Sequence, residues 1–279
     1  MLKIAVLSGK GGTGKTFVST NLSNVINNCT LLDNDVEEPN SRLFFKGEIT
    51  NKESVYQKVP VINEDFCDNC RLCVDSCKYN AIAFVKKPII LENVCHNCGL
   101  CTYICPTNAI TEIDKEVGHT ETLKVSDNLS VRSGFLNVLE ESGTPIIDAL
   151  NNYPYENTVV VDCPPGSSCL VMESIKDSDF NLLVSEDTNF SFENFRAVYN
   201  LSKLFNKKTG LVINKKTQGV SSELVQFSKD NNIPILLEIP FDKELSKISS
   251  NGELITNALV DYRKKFTKLY KSILAEVSK

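Results

Sequence analysis

Eight of the chain's eleven cysteines fall into two runs with one spacing, C-x-x-C-x-x-C-x-x-x-C: Cys67, Cys70, Cys73 and Cys77, then Cys95, Cys98, Cys101 and Cys105. So many thiols in so short a segment leave little room for an apolar core, so the segment must be held together by something its sulfurs bind. The spacing is the one that wraps a [4Fe–4S] cube. Disulfides would be the alternative in a small secreted chain. This chain has 279 residues, and its opening run Met1-Leu2-Lys3-Ile4-Ala5-Val6-Leu7 is too short for the apolar part of a signal peptide. Reduced thiols and a cytoplasmic setting are expected.

The two runs are halves of an internal repeat with a period of 28 residues: Glu64 recurs as Glu92, Asn69 as Asn97, Leu72 as Leu100, and Asn80-Ala81-Ile82 as Asn108-Ala109-Ile110. Duplicated half-units of this kind resemble the bacterial-type two-cluster ferredoxins, small α+β modules in which the fourth cysteine of each run serves the other cube. The resemblance implies Cys67, Cys70, Cys73 and Cys105 on one cluster, and Cys95, Cys98, Cys101 and Cys77 on the other. The second run ends in Cys105-Pro106, as that pattern prefers. The first ends in Cys77-Lys78, which drops a turn constraint and adds a positive charge without removing a ligand. Zinc is the competing metal, because C-x-x-C pairs also build zinc sites; the tandem repeat favours clusters. His96, between cluster cysteines, is expected to tune or shield a cube rather than ligate it.

A second constraint stands at the N-terminus. Lys3–Leu7 reads as a buried strand and runs into Gly9-Lys10-Gly11-Gly12-Thr13-Gly14-Lys15-Thr16, with a helix expected over Thr16–Ile26. Gly9, Gly11, Gly12 and Gly14 would let backbone N–H groups of this loop, Thr13 included, approach phosphate oxygens, with the helix N-terminus aimed at the same anion. Lys15 would reach the β- and γ-phosphates of ATP, and Thr16 would ligate Mg²⁺. Cys29–Leu32 is a further apolar run, ending in Asp33-Asn34-Asp35. Beyond the cysteines, His119–Val131 alternates like a hairpin. Thr158–Val161, Asn181–Ser185, Gly210–Asn214 and Ile233–Ile239 read as buried strands, and Phe192–Phe205 and Tyr262–Val277 as helices. The expected fold class is α/β: a mostly parallel P-loop sheet flanked by helices, built from residues 1–58 and 116–279, with the ferredoxin-like module inserted at residues 59–115.

Lys10, directly after the first glycine of the loop, is not required by a general phosphate-binding motif. Lys10-Gly11-Gly12-Thr13-Gly14-Lys15-Thr16 resembles the deviant Walker loop of the MinD/ParA/nitrogenase iron protein superfamily of P-loop ATPases, over roughly residues 1–57 and 118–279. The resemblance implies a homodimer that closes on ATP, with Lys10 crossing to the partner's nucleotide as a charge clamp on the transition state. It implies that Asp35 orients the attacking water, that Asp33 supports the Mg²⁺ shell, and that Asp162, after an apolar strand, contacts Mg²⁺. Catalysis then rests on Lys10, Lys15 and Asp35. Asn214 and Pro240 match positions that line the adenine. Each carboxylate has a plainer alternative as a strand-end turn former or helix cap. Cys163 and Cys169 flank Pro164-Pro165-Gly166, a switch position in this family. They read either as two buried thiols or as ligands for a bridging metal, and Cys29 reads as core packing.

The net charge of −5 argues against a nucleic-acid partner, and no stretch approaches the length of a membrane span. The lysine-rich C-terminal helix resembles the membrane-targeting tail of MinD, but its apolar side (Phe266, Leu269, Tyr270, Ile273 and Leu274) is expected to pack on the sheet. The combined motifs imply an ATP-hydrolysing iron–sulfur protein whose nucleotide-driven dimer switch is coupled to electron transfer with a redox partner. The alternative is an ATP-dependent assembly factor for iron–sulfur clusters or metallocofactors, as in Mrp-type and CooC-type relatives. Spatial positioning, the MinD and ParA role, needs no redox centre.

Overall fold

Lys3–Leu7 forms β1, buried at every residue, as an all-apolar strand between two helical layers must be. The computed structural model describes residues 1–140, 142–217 and 223–279. After β1 come α1 (Lys15–Val25), β2 (Cys29–Asp33), a 3₁₀ turn (Ser41–Phe44) and the long β3 (Glu48–Ile62). The cysteine segment holds α2 (Leu72–Ser76), β4 (Ile82–Phe84), β5 (Pro88–Ile90) and α3 (Leu100–Ile104). The chain returns through β6 (Ile110–Ser126) and β7 (Leu129–Leu136), then α4 (Thr144–Asn151), β8 (Thr158–Asp162), α5 (Cys169–Ile175), β9 (Phe180–Glu186) and α6 (Asn189–Leu204). It closes with β10 (Lys208–Lys216), α7 (Glu223–Asp230), β11 (Ile235–Pro240), α8 (Lys243–Ser250), α9 (Ile255–Ala258) and α10 (Val260–Val277).

Among the described residues the main sheet has nine strands in the order β11-β10-β9-β1-β8-β2-β7-β6-β3. Pairing is parallel from β11 to β7 and antiparallel at β7–β6 and β6–β3. On one face, Val18 and Leu22 of α1 and Phe266, Leu269 and Ile273 of α10 bury against Ile4, Val6 and Phe180. The C-terminal helix is therefore part of the core, with Leu274 turned to solvent. On the other face, Val171 of α5 and Phe195 and Val198 of α6 cover Ala5, Leu7 and Val161. Among the described residues no helix is long and apolar enough to cross a membrane.

The hairpin expected over His119–Val131 is the inner part of a longer one, because β6 reaches back to Ile110 and β7 on to Leu136. β3 was not legible as a strand. Most of its residues are exposed, and the register slips at Ile49/Asn51 and Val55/Tyr56, so no clean alternation marks it. β3 and β6 pair from Glu48↔Lys124 out to Ile62↔Ile110, and Asn63 N–H donates to Ala109 O just beyond. The cysteine segment thus sits at the tip of a two-stranded ribbon that grows from the sheet edge, and residues 59 and 115 lie within the ladder. The base of the ribbon is held by α4, whose Ile146 and Ile147 bury against Val55, Val117 and Val36. A Cβ on Gly134 would collide with Ile146 and Val36. Gly134→Val should therefore cost about 2 kcal/mol and lower Tm by roughly 4–8 °C. A calorimetric scan showing no loss would mean that α4 does not clamp the ribbon.

Candidate nucleotide site and cysteine centres

β1 ends at the carboxyl edge of the sheet, where open parallel sheets bind their ligands. The chain turns there into α1 through Gly14, whose φ of 93° is left-handed backbone, and a Cβ on Gly14 would collide with the Asn214 amide. Gly11 and Gly12 face open space, the cradle a phosphate needs. Gly9 carries a second constraint that the sequence does not show: a Cβ there would collide with the Asn194 backbone of α6.

Beneath the loop, the buried Lys15 Nζ donates to Asp162 Oδ1 at 3.0 Å and lies 3.8 Å from Asp35 Oδ2. Burial opposes its charge, but Asp162 and Asp35 more than compensate, and its pKa is raised. Parallel register sets Asp33 directly beside Asp162. Burial, and then the charge of Asp162, push Asp33 up to about 8. Burial pushes Asp35 up to about 6 against the pull of Lys15. Ser41 bridges the pair, its N–H donating to Asp33 Oδ2 at 2.8 Å and its Oγ to Asp162 Oδ2 at 2.9 Å. Nothing in the sequence around Ser41 marks it for this role. Three carboxylates around one ammonium leave an excess of negative charge beside Thr16, in the first turn of α1. Such a set fits Mg²⁺, which takes one or two carboxylates plus substrate phosphates.

Within the chain, Lys10 Nζ lies 3.0 Å from Glu186 Oε2 and 5.1 Å from the centre of the Phe190 ring. Glu186 also pairs with Lys215 at 2.7 Å, and Lys215 Nζ donates to Gly12 O. Burial raises the Glu186 carboxyl, but the two lysines outweigh it and its pKa is lowered. Glu186 and Lys215 were missed by sequence reasoning. Their one signal was position, at the carboxyl ends of β9, which neighbours β1, and of β10 beyond it. Asn214 Nδ2 donates to Thr13 O at 2.7 Å. Asn214 and Pro240 line one pocket of about 700 Å³ with Gly14, Phe17 and Phe241.

The cysteines converge across the repeat. Cys67, Cys70, Cys73 and Cys105 line one recess of about 330 Å³. Cys77, Cys95, Cys98 and Cys101 line a second of about 420 Å³, which Cys73 also borders. The repeat is kept in the backbone, with left-handed φ at Asn69 and Asn97, Arg71 and Gly99, and Asn80 and Asn108. Ala81 N–H donates to Cys77 Sγ at 3.3 Å. Burial raises Cys105, but hydrogen bonds from Thr107 and the backbone of Ile110 and Ala109 prevail and bring its thiol below the ordinary range. Burial pushes Cys73, Cys95 and Cys101 up. Among the described residues no three His, Cys, Asp or Glu side chains meet closely enough to hold a single metal ion. A cube makes a different demand, since each thiolate binds its own iron. His96 lies flat on Tyr79, ring centres 3.9 Å apart, at the rim of the second recess.

Cys29 is buried in the core, its thiol pushed up to about 12 by burial. Cys163 and Cys169 do not behave as two buried thiols. Cys163 is sealed in the core with a raised pKa caused by burial, whereas Cys169, the first residue of α5, is exposed. Cys169 borders a cleft of about 1530 Å³ lined by Asp35, Glu38 and Pro164 from the nucleotide side and by Cys95 and His96 from the ribbon. The two candidate sites share this cleft.

A parallel sheet with a glycine-rich loop, buried lysine and strand-end aspartates at its carboxyl edge defines a P-loop nucleotide-binding protein. The chain belongs to the CobQ/CobB/MinD/ParA nucleotide-binding family, whose domain model matches residues 4–255. It is 32% identical to an uncharacterized protein of Methanocaldococcus jannaschii, MJ0578, over 98% of this chain and 96% of that one. Its fold is similar to the cell division ATPase MinD of Pyrococcus furiosus (TM-score 0.59, 16% identity, 98% of each chain). It is also similar to the septum site-determining protein MinD of Pyrococcus horikoshii, solved with Mg-ADP (TM-score 0.58, 17% identity, 98% of this chain and 95% of that one).

Asp33 and Asp35 hold protons more tightly folded than unfolded. Their contribution to stability is full below about pH 4 and is lost as pH rises through about 6 and 8. Mg²⁺ with ADP favours the ionised carboxylates, so the Tm gained on adding Mg·ADP should be larger at about pH 8 than at about pH 5.5. Equal gains would remove these carboxylates from the metal site.

Proposed function

We propose that this protein is an ATP-driven iron–sulfur protein, in which a nucleotide-dependent homodimer switch governs electron transfer through two [4Fe–4S] clusters. The observation that carries this reading is the pair of recesses on the ribbon, each lined by three sulfurs of one run and the fourth of the other. When bound, such clusters supply one-electron storage at low potential. Cys67, Cys70, Cys73 and Cys105 would hold one, and Cys95, Cys98, Cys101 and Cys77 the other.

The ATPase reading follows from the residues under the loop. Lys15 would exchange Asp35 for the γ-phosphate, freeing that carboxylate to orient water. Asp162, Asp33 and Thr16 would hold Mg²⁺, and Asn214 and Pro240 would flank the adenine. Lys10 would leave Glu186 and reach across to the partner's nucleotide, where its charge stabilises the transition state. Coupling has a short path: Asp35 and the Pro164 switch border the same cleft as Cys95 and His96. A redox partner would then meet a ribbon whose surroundings depend on the nucleotide.

Two measurements test the reading. Protein purified without oxygen should carry about eight iron and eight sulfide per chain, and Cys77→Ser or Cys105→Ser should each reduce this to about half. A colourless, iron-free, folded protein would end the proposal. Lys10→Ala should lower ATP turnover at least about 100-fold while leaving the iron content unchanged; normal turnover would remove the trans role of Lys10.

A further inference from the structure

β7 turns Arg132 and Gly134 toward α4 and, by strand alternation, Val131 and Ser133 toward the opposite face. There the 3₁₀ turn and the chain after it roof an open pocket of about 890 Å³ that belongs neither to the nucleotide loop nor to the cysteine recesses. Leu123 and Val131 form its floor, and Phe45 and Ile49 stand at its side. Three features show what it would accept. Ser133 is 2% exposed and its hydroxyl has no hydrogen-bond partner, an expensive state for a donor set into a pocket. Glu121 is the one acid among the described lining residues, and it is already bound by Arg42 at 2.8 Å, Lys52 at 3.1 Å and His119 at 3.3 Å. Lys46 also lines the pocket and has no ion-pair partner among the described residues. Positive charge is therefore in excess beside an apolar floor.

We infer that this pocket binds a small amphipathic anion, an apolar chain or ring ending in a carboxylate. The carboxylate accepts from Ser133 and pairs with Lys46 and Arg42, while the apolar body lies on Leu123, Val131 and Ile49. Among the described lining residues Ser133 has no base beside it to activate its hydroxyl, and the proposed occupant acts as an effector. Its route to the nucleotide is covalent: Arg42 and Leu43 follow Ser41 in the same turn, and Ser41 holds both Asp33 and Asp162. This inference is independent of whether the cysteines bind clusters.

The probe is octanoate, with octylammonium as the charge-reversed control, titrated into the full chain and followed by amide chemical shifts. Octanoate is expected to bind saturably at millimolar concentration or below and to move the signals of residues around Lys46, Leu123 and Ser133. Lys46→Glu, an exposed change, is expected to weaken binding about tenfold, and Ser133→Ala about threefold. Mg·ADP binding should be retained in both variants, showing that they are folded. Absence of saturable binding to the wild-type chain, equal binding of octylammonium, or undiminished octanoate binding by the folded Lys46→Glu variant would each overturn the inference.

Discussion

The buried pair between Lys15 and Asp162 organises this molecule. An ammonium sealed under a glycine-rich loop needs a partner, and removing either member would leave a charge stranded away from water. Asp162 stands where it does because β8 lies between β1 and β2 in a parallel sheet, which brings the ends of three strands to one edge. The same register sets Asp33 beside Asp162, and burial, with the charge of Asp162 added, lifts its pKa. Ser41 then ties both carboxylates to the loop that leads to β3. The carboxylates of this edge are thus hydrogen-bonded to the segment from which the cysteine ribbon springs.

The ribbon itself is weakly provided for. Its inner cluster of buried side chains is Cys73, Ile82 and Ile110, with Ile62, Ile90 and further cysteines around it. Such a core is too small to stand without a staple, so the ladder of β3 and β6 on one side and the proposed clusters on the other must do what apolar packing does elsewhere. In the proposed reading, that module stands beside the segments that would respond to a bound nucleotide, so nucleotide binding would act on it directly. The cleft shared by Asp35, Pro164, Cys169, Cys95 and His96 is the geometric expression of that arrangement.

Much of this was legible in the chain. β1, β2, β8, β9 and β10 are short apolar runs because both faces of each are covered, and runs of that kind announce themselves. The phosphate loop was legible because its chemistry tolerates so few other residues, and the convergence of the two cysteine runs was legible from their 28-residue repeat. β3 was not, since its pattern is blurred by exposure and two register slips. Ser41, Glu186 and Lys215 were not, because a serine in a loop and charges at strand ends acquire meaning only when the sheet brings them beside Asp162 and Lys10. The packing constraint on Gly9 was not legible, because it comes from the distant helix α6.

The central claim is that the nucleotide edge and the cysteine ribbon act as one device. The most direct test is a redox titration of the anaerobically purified protein, reading the midpoint potential of the proposed clusters with and without a non-hydrolysable ATP analogue and Mg²⁺. The account predicts that the potential moves when the nucleotide binds. An intact signal whose potential is the same in both conditions, in protein shown to have bound the nucleotide, would contradict it.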